Sequence, residues 1–289
     1  MTRLFALLRI HQWIKNCFIF LPMFFAQRLY DTSLYFELII AFFGFSFVSS
    51  SVYIINDCQD LEFDKLHPKK SKRPIAAGDI SKEKALIICV SLFITGVSIA
   101  YFLNKYFFGL MIIYFCLNLL YSFKFKHIAI IDILIIAICF LLRLWSGGVI
   151  CNVYISNWIL LTTFLLALFL ALAKRRDDLI IFEKTSQKMR QSIDGYTLEF
   201  VNASMVIMAS VIIFSYILYC ISPNVTQRIG SDYVYLTSFF VILSILRYLQ
   251  ISFVENNAGS PTEVLLRDLF IQLMIVGWVG MFFILLYWK

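Results

Sequence analysis

Ser49-Ser50-Ser51-Val52-Tyr53-Ile54-Ile55-Asn56-Asp57-Cys58-Gln59-Asp60-Leu61-Glu62-Phe63-Asp64 carries an apolar run straight into a set of carboxylates. The run behind it, residues 36–57, has the ~20 apolar residues that an α-helix needs to cross a bilayer core. Asp57, Asp60 and Asp64 stand at i, i+3 and i+7, so a helix continuing through them projects all three from one face. Carboxylates so close repel one another unless a cation neutralises them, and an oxygen-rich set of this kind suits Mg²⁺. Lys72-Arg73-Pro74-Ile75 follows after His67-Pro68, and Arg73 can grip phosphate oxygens in bidentate fashion. One aspartate at a span end would read as a solvated helix boundary. Asn56 with three same-face aspartates, leaving an apolar span, reads as a working site.

The rest of the chain sets that stretch in a membrane. Of 289 residues, 61% are hydrophobic and 15% charged, and the mean hydropathy is +0.84. A soluble domain cannot hide so much apolar surface. Apolar runs at about 14–30, 36–57, 83–104, 106–123, 128–149, 155–174, 197–221, 233–252 and 267–288 predict nine spanning helices in a single catalytic domain over 1–289. Barrel strands would be about half as long and would alternate in polarity. The fold class is therefore all-α, a polytopic membrane protein.

The net charge of +7 is not a nucleic-acid signature, because its basic residues collect in alternate loops. One set of loops holds most of them, from Arg3, Arg9 and Lys15 through Lys124 and Lys126 to Arg247 and Arg267; the other holds only Arg28, Lys105, Arg228 and Lys289. That asymmetry predicts a cytoplasmic N-terminus and a cytoplasmic active site in a bacterial-type cytoplasmic membrane. No cleavable signal peptide is expected, since polar His11, Gln12, Lys15 and Asn16 precede the first apolar run. The seven cysteines form no CxxC or Cys/His cluster, so they read as small core residues and neither a zinc site nor a disulfide framework is expected.

Three further regions carry charge where lipid discourages it. Lys15 and Asn16 open the first run, and interfacial anchoring competes there with a site. Asp132 and Arg143 lie inside the fifth, roughly three turns apart, so each needs a partner from a neighbouring helix or a ligand. Ala173-Lys174-Arg175-Arg176-Asp177-Asp178 opens the second long loop, about 175–196, with Tyr196 at its end. Lys174 and Asp178 could be a structural i,i+4 ion pair, or the cluster could hold an anionic substrate.

The Asn56-Asp57-x-x-Asp60-x-x-x-Asp64 pattern after the second span resembles the UbiA superfamily of intramembrane prenyltransferases. That resemblance implies a UbiA-type bundle in which Asp57, Asp60 and Asp64 bind Mg²⁺ and the donor pyrophosphate. His11-Gln12-Trp13-x-Lys15-Asn16, Tyr121-Ser122-Phe123-Lys124-x-Lys126, Asp132 with Arg143, and Leu170-Ala171-Leu172-Ala173-Lys174-Arg175-Arg176 look like the decaprenyl-phosphate phosphoribosyltransferase branch. Phosphoribosyl pyrophosphate would be the donor and a polyprenyl phosphate the acceptor. Substrate contacts are then expected from Lys15, Asn16, Asn56, Arg73, Lys124, Lys126, Arg143, Lys174, Arg175, Asp178 and Tyr196. Where prenyltransferases carry a second aspartate-rich motif, this chain has the more basic Lys174-Arg175-Arg176-Asp177-Asp178. A UbiA-type prenyltransferase moving a prenyl group from prenyl diphosphate to an aromatic or glycerol phosphate acceptor is the enzymatic alternative. A transporter is the other class, and it predicts interrupted helices with charge near the midplane.

Overall fold

A computed structural model describes residues 2–66, 70–185, 191–255 and 261–288; His67-Pro68 lies outside the described residues. The described chain is helical, without a strand. In order it forms α1 (Thr2–Leu8), a 3₁₀ helix (Ile10–Phe20), α2 (Leu21–Phe25), α3 (Ser33–Gln59), α4 (Leu61–Leu66), α5 (Lys82–Leu103), α6 (Lys105–Phe123) and α7 (Ile131–Cys151). There follow α8 (Asn157–Thr185), α9 (Leu198–Ile221), α10 (Pro223–Ile229), α11 (Ser238–Phe253), α12 (Pro261–Arg267) and α13 (Leu269–Tyr287). Among the described residues, eight segments are long and apolar enough to span a membrane.

The chain divides into two compact units, residues 1–155 and 156–289. Each holds four of the eight segments: α3, α5, α6 and α7 in the first, and α8, α9, 232–253 and α13 in the second. The expected ninth span, 14–30, takes another form. It begins earlier, as eleven 3₁₀ residues, and continues as five α-helical ones. A 3₁₀ helix rises ~2.0 Å per residue against ~1.5 Å for an α-helix. Those sixteen residues therefore reach roughly 30 Å, the thickness of the hydrocarbon core.

Close approach explains how this thin helix is held. A Cβ on Gly147 of α7 would fall 2.0 Å from the Ile19 carbonyl oxygen, so only glycine admits the 3₁₀ segment there. Gly44 and Gly96 do the same for α3 and α5, where a Cβ on Gly96 would meet the Gly44 carbonyl at 2.6 Å. Small residues at such crossings let helix backbones pack without a hydrophobic drive between them. The α3 serines are satisfied locally: Ser49 Oγ donates to the Ser46 carbonyl at 3.0 Å and Ser51 Oγ to that of Val48 at 2.7 Å. Ser50 Oγ donates instead to the Leu8 carbonyl at 2.8 Å and accepts from Trp13 Nε1 at 3.0 Å, which pins the N-terminal segment on α3.

Gly147→Val should lower the melting temperature in detergent sharply, by the equivalent of more than about 2 kcal/mol. Gly109→Ala, where nothing lies within 4 Å of the added Cβ, should leave it unchanged or slightly raised. Equal melting of the two variants would refute the close-approach argument.

Candidate active site

The aspartates stand where α3 leaves the membrane-length run. The expected single helix through Asp64 is interrupted at Asp60, where ψ is 9°, and α4 begins at Leu61. Backbone bonds still bridge the break, from Asp60 N to Asn56 O at 2.9 Å and from Asp64 N to Asp60 O at 2.8 Å. The consequence is a division of the triad. Asp57 and Asp64, each 2% exposed, share one guanidinium: Arg73 Nη1 donates to Asp57 Oδ1 at 3.0 Å and also to Asp64. Asp60 turns to Lys126, whose Nζ lies 2.6 Å from its Oδ1, and to Asn56 Nδ2 at 3.0 Å.

Arg9 completes this cluster, and sequence reasoning assigned it only to the charge bias of the first loop. Its backbone is left-handed, at φ 50° and ψ 49°, which breaks the chain between α1 and the 3₁₀ helix. The side chain thereby pairs with Asp57 and lies over the Tyr53 ring at 5.0 Å. Burial pushes the Arg9 guanidinium below its ordinary value, and Asp57 works against that shift. The available signal was Tyr53, one helical turn before Asp57 on the same face.

Three carboxylates are thus answered by three cations, Arg9, Arg73 and Lys126. Among the described residues no three acidic, His or Cys side chains converge as a ready metal cage. The donor set still fits a hard divalent ion, because Asp57 and Asp64 already converge on one cationic group, and carboxylate oxygens suit Mg²⁺.

Elsewhere in unit 1, Asn16 is buried, with Nδ2 donating to Ser46 Oγ at 2.9 Å and Oδ1 accepting from Arg143 Nε at 2.8 Å. Arg143 thus finds the neighbouring-element partner its position demanded. Lys124 ends α6 with an exposed side chain and joins none of these contacts. Lys15 is half-buried beside Asn16.

In unit 2 the stretch expected as a loop from 175 is helical to Thr185. Arg175 is 1% exposed and pairs with Asp178 across i,i+3 at 2.9 Å, so a turn of α8 carries the charge inward. Arg176, also buried, donates from Nε to Asn202 Oδ1 at 2.8 Å and from Nη1 to the Ser252 carbonyl, joining α8 to α9 and α11. Tyr196 is buried against Phe200, with ring centroids 6.2 Å apart. Lys174 is half-buried in the same turn of α8.

Fold and site together make this a polytopic helical membrane protein with a buried acid–base cluster at the end of its second apolar run. Residues 17–274 match the UbiA prenyltransferase family, and the chain belongs to that family. Over 94% of its length it is 30% identical to decaprenyl-phosphate phosphoribosyltransferase of Mycolicibacterium smegmatis, covering 88% of that protein. The protein of the same name from Mycobacterium tuberculosis is also 30% identical over 94% of the chain, with 90% of its own length covered. The fold is that of a UbiA homologue from Archaeoglobus fulgidus solved with DMAPP and Mg²⁺, at a TM-score of 0.70 and 18% identity over 98% of this chain and 99% of that one. The protein is therefore an integral membrane enzyme.

Removing one member of the buried cluster strands the others, at a cost of about 3–5 kcal/mol. Asp57→Ala should lower the melting temperature in detergent by several degrees. Glu62→Ala breaks the exposed Glu62–Lys65 pair and should shift stability by under about 1 kcal/mol. Indistinguishable melting curves would show that the Asp57 cluster does not hold the fold.

Proposed function

We propose that this enzyme transfers a 5-phosphoribosyl group from phosphoribosyl pyrophosphate to a polyprenyl phosphate. The observation that carries this reading is the similarity along 94% of the chain to proteins named decaprenyl-phosphate phosphoribosyltransferase. Basic side chains in unit 1 beyond those paired with the aspartates are in keeping with it, because this donor carries a 5-phosphate besides its pyrophosphate. Positive-inside charge bias supports a reaction at the cytoplasmic face.

In the reaction the C1–oxygen bond to pyrophosphate breaks, and an oxygen of the lipid phosphate forms the new bond to C1. Asp57, Asp60 and Asp64 would hold Mg²⁺, which when bound supplies Lewis-acid neutralisation of the departing pyrophosphate. Arg73, Arg9 and Lys126 then exchange carboxylate oxygens for phosphate oxygens, with Arg73 suited to bidentate contact. Asn56 stays bonded to Asp60 and keeps that carboxylate in place. Lys15, Asn16 and Arg143 offer further contacts in unit 1. In unit 2, Lys174, Arg175, Asp178 and Tyr196 are assigned substrate contacts, and Lys124 a peripheral one. The acceptor phosphate is already anionic, so the chemistry requires no strong general base. Exclusion of bulk water by the surrounding helices protects the electrophilic carbon from hydrolysis.

Purified protein with Mg²⁺ and a polyprenyl phosphate should move label from radiolabelled phosphoribosyl pyrophosphate into the lipid phase. Chelation should abolish the transfer, and Asp60→Ala should reduce it by at least about a hundredfold. Lys126→Met should fall more than tenfold and Lys124→Met by less than about threefold, since only Lys126 touches the cluster. Label entering lipid from prenyl diphosphate alone would replace this donor while keeping the family.

A further inference from the structure

Unit 1 contains more positive charge than its carboxylates use. Arg143 of α7 is 3% exposed. Its guanidinium donates to Asn16 Oδ1 at 2.8 Å, the Cys139 carbonyl at 2.7 Å and the Tyr114 hydroxyl at 3.0 Å. All three acceptors are neutral. The rings of Phe45, Tyr114 and Phe140 stand 5.2, 4.9 and 5.5 Å from its central carbon. These contacts fix the side chain but leave its charge uncompensated, and no carboxylate pairs with it among the described residues. An arginine kept only for packing could be replaced by an apolar residue of similar volume, and such replacements are often neutral or stabilising. A buried, permanently charged group inside an apolar bundle marks a place where an anion is received.

Lys15 strengthens the case. Half-buried, it makes no hydrogen bond or ion pair among the described residues. Lys15, Arg143 and Arg9 all lie within electrostatic reach of the Tyr53 phenol. Arg9 is committed to Asp57, whereas Lys15 and Arg143 pair with no carboxylate among the described residues. Asn16, next to Lys15 in the chain, orients Arg143: its Nδ2 is held by Ser46 Oγ at 2.9 Å and Ser49 Oγ at 3.4 Å, which turns Oδ1 towards the guanidinium. A surplus of two positive charges, with guanidinium hydrogens still available, matches the charge of a phosphate monoester near neutral pH.

We infer that Arg143, held in place by Asn16 and Tyr114, and Lys15 beside Asn16 form an inner seat for a phosphate monoester, distinct from the Asp57–Asp60–Asp64 cluster. The inference rests on the proposed transferase reading, in which both substrates carry such a group. One is the 5-phosphate of the donor and the other is the phosphate of the lipid acceptor.

Equilibrium binding in detergent with EDTA present, where the pyrophosphate site lacks its metal, tests the seat directly. Ribose 5-phosphate and farnesyl phosphate are titrated separately, with ribose and farnesol as controls. One of the two monoesters should bind, its control should not, and Lys15→Gln and Arg143→Gln should each weaken it about 10–100-fold. The monoester that responds names the source. Lys15→Gln keeps the test decisive if Arg143→Gln misfolds, because Lys15 has no protein partner to lose. Wild-type affinity for both monoesters in Lys15→Gln, or no binding of either to the native protein, would overturn the seat. Phosphoribosyl transfer by the native enzyme in that case would leave the transferase reading standing. Monoester binding that depends on Lys15, in a protein that never transfers phosphoribosyl, would overturn the reading and keep the seat.

Discussion

The Arg73 guanidinium shared by Asp57 and Asp64 is the contact from which the rest of unit 1 is arranged. It ties the end of α3, through Asp57, to α4, through Asp64. Two carboxylates at 2% exposure thus share one resident cation, which offsets the cost of burying them together. Arg9 adds a second cation to Asp57, and its left-handed backbone breaks the chain between α1 and the 3₁₀ helix. The cluster therefore fixes the fold of the chain ends that surround it as well as the chemistry it can do.

The same cluster explains why charge is tolerated here at all. Each aspartate is matched by a basic side chain drawn from a different part of the sequence: residue 9, residue 73 and residue 126. A substrate that brings phosphate and a divalent ion together can replace those pairs without leaving any charge uncompensated. Exchange of partners, and not creation of new buried charge, is the energetically accessible route into such a site. Arg143 and Lys15 fall outside this exchange, which is why they point to a separate anionic group.

Most of the architecture was legible because lipid imposes a simple rule: an apolar run of about 20 residues must be a helix. The runs at 83–104, 106–123 and 197–221 correspond to α5, α6 and α9 within one residue at each end. Hydropathy was blind where conformation and not composition decides. It could not foresee a 3₁₀ segment, which spans the core with fewer residues. It also ended α8 at Lys174, because charged residues look like a loop. The helix continues because Arg175 and Asp178 neutralise each other along it. The i, i+3, i+7 spacing found the aspartates but not the break at Asp60 that sends one of them to Lys126. Arg9 lay hidden among loop cations, since its partner is 48 residues away.

If resident cations hold the three aspartates until a pyrophosphate donor arrives with its metal, Mg²⁺ alone should bind poorly. Calorimetric titration of Mg²⁺ into the purified protein, with and without phosphoribosyl pyrophosphate, tests it most directly. Weak or undetectable Mg²⁺ binding alone, rising at least tenfold in affinity with the donor present, is the predicted result. Tight Mg²⁺ binding to the protein by itself, unaffected by the donor, would contradict the account.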